Sequence, residues 1–142
     1  MADHGSSTER VYIALGSNLG DRHAHLARGR QAIAEIPGCR LLAESSVEET
    51  TPLGGVDQPP YLNQMVVVDC ELPPDALLVE LQRIERTEGR ERRERWAPRT
   101  LDLDIVCIEG RTVSENHLTV PHPGLEERDF WRRELAELRS VV

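Results

Sequence analysis

Lysine is absent: all 17 basic residues of this 142-residue chain are arginine. That excludes chemistry built on a primary amine, including the phosphate-loop lysine, the protein-kinase strand lysine and Schiff-base catalysis. A protein of this composition that handles phosphate must do so with arginine and metal, and arginine's planar fork grips phosphate oxygens in pairs. Cysteine is sparse as well. Cys39, Cys70 and Cys107 lie far apart with no C-x-x-C spacing, which argues against a disulfide framework or a zinc cluster. Cys70 and Cys107 sit in or end apolar runs and read as buried thiols. Aromatic residues are only 4% of the chain, too few for the base-stacking platform of a sheet-type RNA-binding domain. Positive charge is outnumbered: 25 acidic residues leave a net −8, against broad binding to nucleic acid or anionic membrane. No apolar run approaches 18 residues and no signal peptide is visible, so a reducing, cytoplasmic setting is expected.

What is present fits one globular domain. The length is near the roughly 150 residues of a typical domain, and 39% apolar residues suffice for a core. Met1–Arg10 reads as a loose tail and residues 11–142 as the domain. Val11–Leu15 reads as a strand, followed by the turn Gly16-Ser17-Asn18-Leu19-Gly20 with Asp21 as helix cap. Leu26, Ala27, Ile33 and Ile36 mark a helix over Arg22–Ile36, stopped by Pro37-Gly38. Arg40–Glu49 reads as a second strand, Thr50–Pro60 as a Pro/Gly loop, and Tyr61–Leu72, with its Met65-Val66-Val67-Val68 run, as a third strand. Pro73-Pro74-Asp75 opens a second helix with Leu77, Leu78, Leu81 and Ile84 as its apolar stripe. Arg90–Arg99 is too charged to pack. Leu101–Ile108 is a fourth strand, Thr112-Val113 a short edge strand, His117–Pro123 irregular, and Glu126–Leu138 a last helix. The order β-α-β-β-α-β predicts an α+β, ferredoxin-like antiparallel sheet with both helices on one face, plus a C-terminal extension.

The sharpest chemical feature is Asp102-Leu103-Asp104 in the fourth strand. Side chains two apart on a strand share a face, so both carboxylates project together while Leu101, Leu103 and Ile105 point the other way. Adjacent carboxylates repel unless positive charge lies between them, and a hard divalent cation supplies it. Immediately upstream, residues 83–99 carry seven arginines against four glutamates, a net +3 that leaves the remainder at −11. Arginine to balance phosphate beside aspartate to balance metal is the charge layout of a metal–polyphosphate site. Solvated faces with i,i+4 ion pairs such as Glu88–Arg92 are the plainer alternative. Trp96, inside the charged loop, either stacks on a flat ring or caps the core. His122 is stiffened by Pro121 and Pro123, and Arg128 and Phe130 follow it. Asn63 offers an amide able to read a heterocycle edge. His23 and His25, two apart on a helix, face different ways and make a poor metal pair.

Taken together, these residues resemble the 6-hydroxymethyl-7,8-dihydropterin pyrophosphokinase family of folate biosynthesis. The most specific match is Arg95-Trp96-Ala97-Pro98-Arg99-Thr100-Leu101-Asp102-Leu103-Asp104-Ile105-Val106. Support comes, in the same order along the chain, from Tyr12–Asp21, Asp57–Asn63, Arg83-Ile84-Glu85 with Gly89-Arg90, and Leu118–Pro123. The resemblance covers Val11 to Phe130. It implies transfer of a pyrophosphoryl group from MgATP to the pterin hydroxymethyl oxygen, with AMP leaving. It assigns Asp102 and Asp104 to two Mg²⁺ ions, and catalytic roles to these two with Arg90, Arg92 and Arg99. Gln82, Glu85, Arg92, Arg95, Trp96, Arg99, Ile105, Thr119, His122 and Arg128 would line the ATP side. Thr50, Thr51, Leu53, Tyr61, Asn63, Trp96, Asp102 and Phe130 would line the pterin side. Arg90, Arg92 and Arg93 would belong to a mobile loop closing on the phosphates. Here His117 stands where the family commonly has arginine, and the segment Arg90–Trp96 is one residue shorter than in some relatives.

The resemblance also implies small-molecule substrates, no nucleic-acid or membrane partner, and a monomer. Two other readings use the same residues differently: a metal-dependent phosphohydrolase built on the Asp pair, and a ferredoxin-like module that binds a small molecule without chemistry.

Overall fold

A computed structural model describes residues 8–51, 59–89 and 100–142. Arg90, Arg92, Arg93, Arg95, Trp96, Arg99 and Leu53 of the expected site lie outside the described residues.

Strand β1 (Glu9–Ser17) is the spine. It takes in Glu9 and Arg10, two residues of the expected tail, because Glu9 pairs with Cys70 and Arg10 with Asp69 of strand β4 (Tyr61–Cys70). Asp21 caps helix α1 (Arg22–Ala34) as expected, its carboxylate accepting the Ala24 N–H at 3.2 Å. Beyond the helix, Gly38 turns the chain at φ +90, a conformation that favours glycine.

The single strand expected over Arg40–Glu49 is two: β2 (Cys39–Glu44) and β3 (Glu48–Thr50), both antiparallel to β4. Ser45 makes the break. Its N–H donates to the Met65 carbonyl at 2.8 Å, but the Met65 N–H is taken by the Ser45 hydroxyl at 2.9 Å. A side chain thus replaces a backbone acceptor and the ladder loses its register.

Helix α2 (Pro74–Thr87) starts at the expected Pro-Asp signal and buries Leu77, Leu81 and Ile84. Strand β5 (Asp102–Ile108) then pairs antiparallel with β1. The main sheet runs β2-β4-β1-β5, with β3 also on β4. This is an α+β fold on a mostly antiparallel sheet. The stretch expected to be irregular, His117–Pro123, instead supplies β7 (Leu118–Val120), which forms a hairpin with β6 (Val113–Glu115). The missed signal is alternation: Leu118 and Val120 are buried on either side of exposed Thr119. A 3₁₀ turn at Leu125–Glu127 precedes helix α3 (Asp129–Arg139), which is thus shorter at its start than the Glu126–Leu138 helix expected.

The faces of the sheet hold different helices. Leu15 points at α1: a Cβ on Gly29 would meet Leu15 Cδ2 and Leu101 Cδ2 at 3.1 Å. Glycine there lets the helix lie close to the sheet. Tyr12 points the opposite way, with the Arg139 guanidinium of α3 5.4 Å from its ring centre. Helices α1 and α2 therefore share one face, as expected, and the C-terminal helix covers the other. Met65-Val66-Val67-Val68 is buried on both sides, which explains its unbroken apolar run.

Candidate active site

The site is set by register. On β5 the burial alternates: Asp102 and Asp104 are partly exposed while Leu103 and Ile105 are buried. Across the ladder Gly16 faces Asp102 and Ala14 faces Asp104, and on the other side of β1 Asn63 faces Gly16 and Met65 faces Ala14. Two transverse rows result, Asn63–Gly16–Asp102 and Met65–Ala14–Asp104. Directly opposed residues share a face, so both carboxylates stand on the Tyr12 side, the side of α3. Gly16 matters for what it lacks. A Cβ there would reach Asn63 Oδ1 and Tyr61 Cδ1, each at 3.4 Å, filling the space between the amide, the ring and the carboxylate.

The pterin-side candidates divide. Asn63 is buried; its amide nitrogen donates to the Thr50 hydroxyl at 2.5 Å and, more weakly, to the Tyr61 carbonyl at 3.5 Å. Thr50, Tyr61 and Asn63 therefore form one unit, positioned by the β3–β4 pairing of Thr50 with Tyr61. Phe130 is half-buried at the start of α3, its ring edge-on to Trp131 at 6.2 Å. Thr51 is exposed at the end of β3.

Two residues outside the expected set of site residues hold the frame around this unit. Arg22 donates to Glu49 Oε2 and to the Pro60 carbonyl, both at 2.9 Å. Asn18 donates to the Pro59 carbonyl at 3.3 Å. Both fix the point at which the chain enters β4, and neither contact has a local sequence signal, since 38 and 41 residues separate the partners.

Among the ATP-side candidates, His122 approaches Asp104. Its N–H donates to the Val106 carbonyl at 2.8 Å, docking the segment on β5. Nδ1 accepts the Gly124 N–H at 2.9 Å. The neutral ring therefore carries its proton on Nε2, which lies 3.7 Å from Asp104 Oδ1. Trp131 stands edge-on to this ring at 4.9 Å. It also carries the Arg128 guanidinium 4.7 Å above its own ring centre. Arg128 donates to the Gly124 carbonyl at 3.2 Å, and a Cβ on Gly124 would overlap that guanidinium. Trp131 was not expected in the site; the signal was its helical spacing three residues after Arg128.

Of four further ATP-side candidates, two point into the fold and two lie exposed. Ile105 is 3% exposed and pairs with Ile13, so its side chain lies in the core on the helix α1 face, away from the carboxylates. Glu85 is buried at the end of α2, and its Oε2 accepts the Leu103 N–H at 2.7 Å; it satisfies the outer edge of β5. Gln82 and Thr119 are exposed, on α2 and β7. His117, at the tip of the β6–β7 hairpin, bonds Asp75 Oδ1 at 2.9 Å and lies 3.4 Å from Glu115 Oε1. The bond and charge of Asp75 raise its pKa.

The base of the arginine-rich segment is anchored. Glu88 accepts from Arg28 Nε at 2.9 Å and contacts His25 Nδ1 at 2.9 Å, tying the end of α2 to α1. Burial works against ionised Glu88, but the hydrogen bonds from His25 and Arg28 outweigh it and lower its pKa.

The profile of the family described as 7,8-dihydro-6-hydroxymethylpterin-pyrophosphokinase (HPPK) matches residues 12–140. The chain belongs to this family. It is 43% identical over 129 residues to the 2-amino-4-hydroxy-6-hydroxymethyldihydropteridine pyrophosphokinase of Methylorubrum extorquens, covering 91% of this chain and 82% of the relative. With the protein of the same name from Haemophilus influenzae it shares 42% over 130 residues, 92% of this chain and 81% of the relative. With that of Bacillus subtilis it shares 41% over 132 residues, 93% and 79%. The match runs from Tyr12 in β1 to Ser140, just beyond α3.

Proposed function

We propose that this chain transfers the pyrophosphoryl group of MgATP to the hydroxymethyl oxygen of 6-hydroxymethyl-7,8-dihydropterin, with residues 11–142 as one catalytic domain. The carrying observation is the row Asn63–Gly16–Asp102 beside Asp104. The Asn63 amide lies one strand away from the carboxylate pair with only a glycine between, which supports a reading in which that amide meets the heterocycle.

The donor set suits magnesium. Asp102 and Asp104 offer hard oxygens from one face of a rigid strand, and Asp104 is 43% exposed, open to a hydrated cation. We assign two Mg²⁺ ions to this pair; bound there, magnesium would offset the charge of the triphosphate and of the transition state. His122, held by Gly124 and Trp131, orients its Nε2–H towards Asp104 and the phosphate side. Arg128, fixed over Trp131, adds positive charge that costs little to organise. Asn63 and Tyr61 orient the pterin, so that its alcohol meets the β-phosphorus in line. The oxygen–phosphorus bond forms as the α–β phosphoanhydride bond breaks, and AMP departs. Arg90, Arg92, Arg95 and Arg99, with Trp96, belong to the same reading through their sequence match alone. A cytoplasmic location and action as a monomer are part of the proposal.

The test is incubation with MgATP and the reduced hydroxymethylpterin, with the adenine products resolved by chromatography. AMP and a pyrophosphorylated pterin are expected in equal amounts. ADP as the product would sink the mechanism, and free phosphate or pyrophosphate without pterin modification would favour the phosphohydrolase reading.

A further inference from the structure

Cys39 opens β2 and Cys70 closes β4, and they are direct cross-strand partners. The next pair outward, Gly38 and Glu71, is joined by a bond from the Glu71 N–H to the Gly38 carbonyl at 2.8 Å. Bonded and non-bonded pairs alternate along an antiparallel ladder, so Cys39 and Cys70 occupy a non-hydrogen-bonded pair. The backbones approach closest there, with Cα atoms about 4.5 Å apart, inside the range that a disulfide spans. The sulfurs lie 3.1 Å apart, with the Cys39 thiol donating to Cys70 Sγ. Both are free thiols. That bond, more than anything else, lowers the Cys70 pKa to about 7, and it raises that of Cys39. Cys39 is half-buried and Cys70 buried, so a reagent meets Cys39 first.

We propose that Cys39 and Cys70 are a reversible redox modification site, oxidised by small-molecule disulfides to a cross-strand disulfide. One proton leaves the pair to solvent and the other passes across the S–H···S bond to Cys70; the half-buried Cys39 thiolate then attacks one sulfur of the small disulfide and expels the other as a thiolate. Cys70 then attacks Cys39 Sγ in the mixed disulfide and expels the second small thiol. Two protein thiols are oxidised, one small disulfide is reduced to two thiols, and the two protein protons end on those thiols. The site lies apart from the catalytic end of the sheet: Cys70 pairs with Glu9 at one end of β1, while Leu62 pairs with Ser17 at the other, about 25 Å away at ~3.3 Å per residue. The closed segment nonetheless contains Thr50, Tyr61 and Asn63. Cys107 is an internal control, for it lies on β5 opposite Tyr12, with Arg139 3.6 Å from its sulfur.

The test uses the full chain, freed of reductant and held with excess oxidised glutathione, then denatured and alkylated for mass spectrometry. One of the three cysteines should still alkylate. The chain should lose the mass of two hydrogens, and trypsin should release peptide 31–40 joined to peptide 41–83. Dithiothreitol should restore all three thiols. Three alkylated cysteines, a persistent glutathione adduct on Cys39 or Cys70, or a linkage through Cys107 or between chains would each overturn the proposal. The Cys70→Ala variant should instead retain glutathione on Cys39; no adduct at that position would show that Cys39 is not the entering sulfur.

Discussion

Asp104 and Glu134 are both carboxylates next to the sheet, yet position gives them opposite chemistry. Asp104 faces outward beside His122, and its negative charge is what the proposed magnesium needs. Asp104→Asn keeps the shape and removes the charge. It should lower kcat by about a thousand-fold or more while moving the melting temperature little; full turnover in steady-state assays would remove Asp104 from the metal site. Glu134, in α3, is 1% exposed, and neither of its carboxyl oxygens has a hydrogen-bond partner among the described residues. Burial, reinforced by the Glu48 carboxylate, pushes its pKa up to about 9. The folded chain thus holds a proton that the unfolded chain releases near 4.5. Stability from this group is complete below that pH and is lost as pH rises towards 9, at a cost of about 3 kcal/mol by pH 7. Glu134→Gln should therefore be more stable than the parent at pH 8, and the two should converge near pH 4. Urea titrations across that range would read the difference, and parallel curves would contradict it.

At the scale of elements, β5 is the sheet edge that carries the proposed magnesium site, and α2 guards it. The Leu103 N–H faces outward and finds the Glu85 carboxylate at the end of α2. Glu85→Ala would leave that buried donor unpaired and should cost about 2–3 kcal/mol, whereas Glu85→Gln keeps an acceptor and should cost less than about 1.5 kcal/mol. Chemical denaturation measures both. If Glu85→Ala instead keeps full stability and loses ATP affinity, the residue is a ligand contact rather than a brace. The β6–β7 hairpin is tied to the start of α2 through His117 and Asp75. The hydrogen bonds of Glu88 with His25 and Arg28 tie α1 to the end of α2, where the arginine-rich segment begins.

For the whole molecule, ligand and metal should act together. With ATP at about 100 times its Kd and magnesium present, the melting temperature should rise by about 5–10 °C. A chelator should abolish most of that increment, because Asp102 and Asp104 alone repel a polyphosphate. An unchanged shift in excess chelator, followed by calorimetry or dye fluorescence, would separate ATP binding from the Asp pair. The net −8 sharpens the same point, for an acidic molecule without lysine needs local positive charge before it can hold ATP.

The sequence by itself determined the local rules. Alternation put Asp102 and Asp104 on one side of a strand, Asp21 capped its helix through a neighbouring N–H, and the Pro-Asp start of α2 needed no distant partner. The resemblance carried by residues 95–106 determined the family. Contacts over long separations were decided only by the tertiary structure. Ser45 splits a strand because Met65 lies across from it. Gly16 opens a space because β1 runs between Asn63 and Asp102, and Ile105 is lost to the core because the helices cover its face. Chain periodicity reports which side chains share a face; which face meets solvent, and what stands opposite, depends on strand order and register, set by the packing of all elements at once.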